Sequence, residues 1–144
     1  MSKTYISSAL RKLIYSRANG CCEYCFFPEV VTLTSHEVDH VVAEKHGGLT
    51  EANNLALSCI LCNKYKGSDL TSIDPETGEI IPLFNPRKDK WNDNFLLEGA
   101  DFVPLTAKGR VTIRLLQLNR RDRVEERQFL IENRMFNIQN HDSL

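Results

Sequence analysis

Four cysteines, one histidine, one aspartate and two asparagines carry the chemistry legible in this chain. Cys22 and Cys25 form one Cys-x-x-Cys pair, and Cys59 and Cys62 form a second. Between the pairs lie Val38-Asp39-His40-Val41-Val42, then Gly47-Gly48 and Asn53-Asn54-Leu55; Asn63, Lys64, Tyr65 and Lys66 follow Cys62 directly. A Cys-x-x-Cys turn aims two sulfurs at one ion while backbone N–H groups point at the thiolates, and two such turns complete a closed tetrahedral zinc site. A rubredoxin-like iron site, a redox pair or disulfides use the same residues. The long separation between the pairs favours a clamp around a functional loop. Cys21 is the fifth cysteine, and its position three residues on is Tyr24, so it is the odd one out.

Inside the clamp, Asp39 and His40 sit on a β-branched stretch. Side chains alternate along a strand, so neighbours face opposite ways and can do different jobs. A neutral imidazole takes a proton from water near neutral pH. A carboxylate and an amide oxygen are hard ligands that suit Mg²⁺, which keeps its waters for phosphate. Together these groups suit metal-assisted phosphodiester hydrolysis. An isolated Asp-His is equally a hydrogen-bonded strand end, and an isolated Asn54 is a loop asparagine; the ordered set is what carries the signal.

Several elements must position these groups. Ser7 or Ser8 caps an amphipathic helix in which Leu10, Leu13, Ile14 and Arg17 share a face, and Asn19-Gly20 stops it. Val30–Thr34 and Glu37–Val41 read as the strands of a hairpin. Leu55–Ser58 reads as a short strand into the second knuckle, and Asn63–Lys66 as part of a short helix ending near Gly67. Asp74-Pro75-Glu76-Thr77-Gly78 is a turn. Phe95–Leu97 and Phe102–Leu105 form a second hairpin, Thr106 caps a helix to about Leu118, and a last helix runs from about Asn119 to Asn137.

The 144 residues fit one domain with an extension: residues 1–70 as core, and residues 71–144 as a hairpin and helical part packed on it. The N-terminus has no long apolar segment and no stretch is long enough for a membrane span, so a cytoplasmic protein is expected. The formal net charge of −1 does not announce a polyanion binder. Between Lys108 and Arg134, however, eight basic and four acidic side chains leave a local net charge of +4. That run reads either as a solvated helix face with charge pairs or as a nucleic-acid contact. Trp91 reads as core, with base stacking as its alternative.

Val38-Asp39-His40, Gly47-Gly48, Asn53-Asn54-Leu55 and Cys59-x-x-Cys62-Asn63-x-x-Lys66-Gly67 together resemble the HNH endonuclease motif in its zinc-containing ββα-metal form. The resemblance covers roughly Arg17 to Gly67. It implies an α+β fold with a zinc-stapled core, an N-terminal helix and a C-terminal hairpin plus helices. It implies His40 as general base, Asp39 and Asn63 as ligands of a catalytic Mg²⁺ or Mn²⁺, and Asn54 as the residue that orders the loop around the base. Cys22, Cys25, Cys59 and Cys62 would hold structural Zn²⁺. Asn63 stands where many members carry histidine, making this the HNN variant; Ala43 and His46 also depart from the common pattern. The segment from Ile73 to Phe95 resembles the extension of stand-alone bacterial members.

The implied reaction is DNA hydrolysis by in-line attack, leaving 5′-phosphate ends. One such site cuts one strand, and a double-strand break needs a second subunit or a second encounter. Lys64, Lys66 and His46 are the proposed phosphate contacts. His36 reads as a surface or hairpin residue, Glu37 and Glu44 as solvated, and His141 is assigned no role. The rival reading is a non-catalytic zinc module that binds nucleic acid.

Overall fold

The computed structural model describes residues 4–138, so His141 lies outside the described residues. The chain divides into two compact units, Met1–Ser68 and Asp69–Leu144. Among the described residues no helix is long and apolar enough to cross a membrane.

The first unit opens with α1, Ser8–Arg17, whose cap is Ser7: its side chain accepts from Leu10 N. Asn19 and Gly20 both take positive φ after the helix. β1, Glu37–His40, pairs antiparallel with β2, Leu55–Ser58, and α2, Ile60–Lys66, follows directly. Opposite partners share a face. Val38 faces Leu57 and His40 faces Leu55 on one side. There Leu55 and Leu57 join Ile14 and Ala18 of the α1 segment in a small apolar cluster, with Leu10 and Val38 against it. Glu37 and Asp39 take the other side, which meets α2. Arg17 ties α1 to the entry of β2, its guanidinium donating to Ala52 O at 2.8 Å and Leu55 O at 2.6 Å.

The partner of β1 is a correction. The stretch Val30–Thr34 is not a strand; Glu29–Val31 forms a 3₁₀ turn after Pro28. Glu29 O accepts from Thr32 N and from Thr32 Oγ1, and the Glu29 carboxylate accepts from His36 N, so the turn's own bonds satisfy this backbone. Val30 and Leu33 are exposed, whereas all four residues of β2 are buried. Burial decided the pairing over β-propensity.

The second unit contains two more hairpins. β3 (Thr71–Ile73) pairs with β4 (Ile80–Pro82), and β5 (Phe95–Glu98) pairs with β6 (Asp101–Pro104). α3, Trp91–Asn94, leads into β5. α4, Ala107–Leu115, is capped by Thr106, whose hydroxyl accepts from Gly109 N. α5, Arg121–Glu132, is shorter than the sequence suggests. Trp91 is buried against Phe95 and Phe102, with centroids 5.0 and 5.5 Å apart, and is a core residue. The basic run is in part the solvated face with charge pairs, at Arg120 and Arg121, and in part buried. Arg123 and Arg127 are buried: Arg123 donates to Leu116 O, and Arg127 to Ala100 O and Leu118 O, with its guanidinium 4.1 Å from the Phe102 ring centre. Arg120 pairs with Asp122 and Arg121 with Glu125.

Asp74 anchors the β3–β4 turn. It receives Arg110 Nε and Nη2 at 3.0 and 2.8 Å, Glu76 N, and the Thr77 hydroxyl. Those bonds, the Arg110 pair first, hold its carboxyl well below the usual carboxylate range. A depressed folded-state pKa stabilises above the unfolded value, about 3.9, and that contribution is lost as pH falls below it. Urea midpoints at pH 6 and pH 3 check this. The acid-induced drop is expected to be smaller in Asp74→Asn than in the parent protein, because the variant has already lost the titrating bond.

Candidate metal and hydrolytic site

Four thiols converge in the first unit. The sulfurs of Cys22, Cys25, Cys59 and Cys62 all lie within 4.8 Å of one another, and all four residues are buried. None is in a disulfide. The Cys25 and Cys59 sulfurs are 3.7 Å apart. Four sulfurs at the Zn–S distance of about 2.3 Å stand roughly 3.8 Å apart on a tetrahedron edge, so the spacing fits zinc. Local backbone builds the cage. Cys22 O accepts from Phe26 N, and Phe26 takes φ 62° to close the first knuckle. Cys59 caps α2, its sulfur accepting from Cys62 N at 3.4 Å. Burial pushes the Cys22 and Cys62 thiols well above their ordinary pKa. Cys21 is half-buried and outside the cluster, its thiol 3.5 Å from Asn19 O.

The knuckle is stitched to the hairpin by Glu23, which is 1% exposed. Its backbone N donates to Leu57 O, and its carboxylate accepts from Leu57 N at 2.9 Å. The edge of β2 away from β1 is thus paired at Leu57 by one residue that supplies both donor and acceptor. No sequence signal marked Glu23, which lies between two ligand cysteines.

On the α2 side of the hairpin, Asp39 is mostly buried and its Oδ2 has no hydrogen-bond partner. It faces the Lys66 ammonium at 3.3 Å. Burial raises its pKa, with Lys66 and His40 pulling it back. Lys66 is 3% exposed and also reaches His40 O at 3.4 Å, so its charge lies under the strand. Asn63, one turn before Lys66, donates through Nδ2 to Glu37 Oε2 at 2.6 Å. That bond turns the amide oxygen away from Glu37. Glu37 is therefore paired, not solvated; its period-two relation to Asp39 was visible in the sequence.

On the other side, His40 is 5% exposed, and Nε2 lies 2.8 Å from Thr50 Oγ1. Thr50 in turn donates to Glu44 Oε1 at 3.1 Å, and that oxygen is 3.7 Å from His40 Nε2. Glu44 is exposed, as expected, and is also a partner of Thr50. Asn54 pins the loop between the strands. Its Oδ1 accepts from Val42 N, and its Nδ2 donates to Val42 O and Leu49 O, all within 3.0 Å. Val41 N donates to Asn54 O and prolongs the ladder. Thr50 enters only through this loop closure. Lys64 and His46 are exposed, with Lys64 5.7 Å from the Tyr65 ring centre. His36 is buried, its Nε2 2.7 Å from Phe27 O, which is a structural placement rather than a surface one.

Gly48 is demanded by this closure. A Cβ there would lie 1.7 Å from Val42 O and 2.8 Å from Asn54 Nδ2. Gly48→Ala is expected to cost about 1–3 kcal/mol, as overpacking generally does. Urea denaturation measures it, and a cost below 0.5 kcal/mol by that ~1 kcal/mol yardstick would mean the loop moves freely aside.

The family model described as HNH endonuclease matches residues 22–69, about a third of the chain, spanning both cysteine pairs and the hairpin between them. Neither the curated proteins nor the solved structures give a match. The family match implies a nuclease-type function and a nucleic-acid substrate for this segment.

Proposed function

We propose, from the premise that residues 22–69 are an HNH endonuclease segment, that the protein is a metal-dependent endonuclease that hydrolyses DNA phosphodiester bonds. The observation that carries this reading is the pair of oxygen donors on one face of β1–α2. Asp39 presents a buried oxygen whose partner is the Lys66 ammonium at 3.3 Å, and Asn63 is held by Glu37 with its amide oxygen turned away. Hard oxygen donors of this kind suit Mg²⁺ or Mn²⁺. When bound there, such an ion polarises the scissile phosphate and neutralises the leaving alkoxide.

The chain's own groups do the rest. His40 takes the proton of the attacking water. Asn54 holds residues 42 to 49 so that the ring keeps its place. Lys66 sets a positive charge beneath Asp39, where it offsets the cost of a buried carboxylate. Lys64 and His46, on the exposed rim, meet the phosphate backbone. Zinc on the four cysteines is structural and takes no part in the chemistry.

A second reading has one observation in its favour. The Asp39–Lys66 pair at 3.3 Å leaves the carboxylate already matched by a charge of the chain itself, which a non-catalytic nucleic-acid-binding zinc module would equally use. Supercoiled plasmid incubated with the protein separates the two. The endonuclease is expected to give nicked circles with Mg²⁺ or Mn²⁺ and none in chelator. A protein that retards plasmid yet leaves it supercoiled with either ion is the binding module.

A further inference from the structure

We infer that Glu44 and Thr50 are positioning residues that hold the His40 ring in one tautomer, with the proton on Nε2 and the basic nitrogen at Nδ1. The inference deepens the proposed function and rests on His40 being its base.

A single hydrogen atom on Thr50 decides the tautomer. A threonine hydroxyl has one proton to donate and lone pairs to accept with. A carboxylate only accepts. The Thr50 hydroxyl donates to Glu44 Oε1 at 3.1 Å, so its proton is committed there. Its oxygen is then an acceptor toward His40 Nε2, 2.8 Å away, and that nitrogen must carry the proton. Glu44 Oε1, at 3.7 Å from Nε2, adds a second acceptor on the same side and disfavours a bare nitrogen lone pair there. Nδ1 makes no hydrogen bond among the described residues, so nothing competes for its lone pair. In a neutral imidazole the unprotonated nitrogen is the base, and which one it is follows from the partner of the other.

The loop is built for this contact. Glu44 opens the 3₁₀ turn Glu44–His46, whose C-cap is Gly47 at φ 90°. The chain then reverses, and Asn54 grips Leu49 O, the neighbour of Thr50. Asn54 therefore acts on the ring twice: through Val42 beside β1, and through the loop that delivers Thr50. Glu44 itself lies on the surface, so its substitution leaves the apolar cluster intact.

The test reads the two ring nitrogens directly. Protein labelled with ¹⁵N-histidine, zinc-loaded and free of added Mg²⁺, is examined by NMR at a pH where the ring is neutral. The parent protein is expected to show a protonated Nε2 and a pyridine-like Nδ1 at His40. In Glu44→Ala the freed hydroxyl can donate to Nε2, and the Nδ1–H form is expected to rise. Thr50→Val removes the acceptor, with the same direction of change, and Thr50→Ser restores the parent tautomer. In plasmid cleavage, Glu44→Ala and Thr50→Val are expected to lower kcat by roughly 10- to 100-fold, within the worth of a general base, with KM little changed. Zinc content reports folding of each variant.

A parent ring protonated on Nδ1 overturns the inference, and so does a tautomer unmoved in both variants. A moved tautomer with undiminished cleavage overturns it as well. Absence of cleavage by the parent protein sinks the proposed function instead, and the NMR result still decides the tautomer.

Discussion

Replacing His40 by alanine is expected to lower DNA cleavage by roughly 10²–10⁴-fold, the usual worth of a positioned general base. Divalent-ion affinity is expected to stay near that of the parent protein. The two effects separate because β1 sends His40 and Asp39 to opposite faces: His40 toward Thr50, and Asp39 toward α2. Asp39→Asn and Asn63→Ala are expected to do the reverse and weaken the ion. Asparagine is the better probe at position 39, because its amide oxygen still accepts from the buried Lys66 ammonium, whereas alanine offers that charge nothing and confuses metal loss with instability. Calorimetric titration with Mn²⁺, beside plasmid nicking, decides the matter. If His40→Ala lost the ion while Asn63→Ala kept it, the assignment of base and ligands would be inverted.

Stripping zinc is expected to unfold the Met1–Ser68 unit. Its α1–β2 cluster is small, with Ile14, Ala18, Leu55 and Leu57 at its centre, and the large buried side chains Tyr24 and Phe26 lie in the first cysteine knuckle itself. A structural zinc site contributes about 10–16 kcal/mol of apparent free energy in zinc-finger peptides. A whole domain is stable by only about 5–15 kcal/mol. Loss of the ion therefore exceeds what so thin a core can retain. Metal analysis is expected to find one zinc per chain. Cys22→Ser or a strong chelator is expected to abolish the cooperative unfolding transition of this unit. Cys21→Ser is expected to leave both zinc and transition in place, since its sulfur lies outside the cluster. Iron in the purified protein, or a folded first unit after chelation, would overturn the zinc assignment.

Local pattern and physical neighbourhood contributed differently. The cysteine cage was legible because ligand spacing within each knuckle is a short-range constraint, and no other residues compete for those positions. The caps at Ser7 and Thr106 were legible for the same reason: each bonds a backbone N–H three residues on. The partner of β1 was not legible. Val30–Thr34 has the better strand composition, but Leu55–Ser58 offers a face that α1 can bury, and that choice depends on contacts distant in sequence. The basic run from Lys108 to Arg134 misled for a related reason. Composition counts Arg123 and Arg127 as surface charge, whereas their guanidinium groups satisfy carbonyls inside the second unit.

The sequence by itself determined the chemical inventory: four cysteines in two knuckles that could hold one metal ion, and a histidine with carboxylate and amide oxygens at ordered positions between and just after them. Ligand type and local spacing are properties of the chain. Tertiary structure alone decided the pairing of that inventory. Asp39 received Lys66, Asn63 received Glu37, and His40 received Thr50 and, through it, Glu44. Each of these bonds spans ten or more residues except the link from Glu44 to Thr50, and their geometry exists only once the strands and the loop close. The tautomer proposed for His40 depends on that closure, because a hydroxyl proton given to one acceptor is no longer available to another.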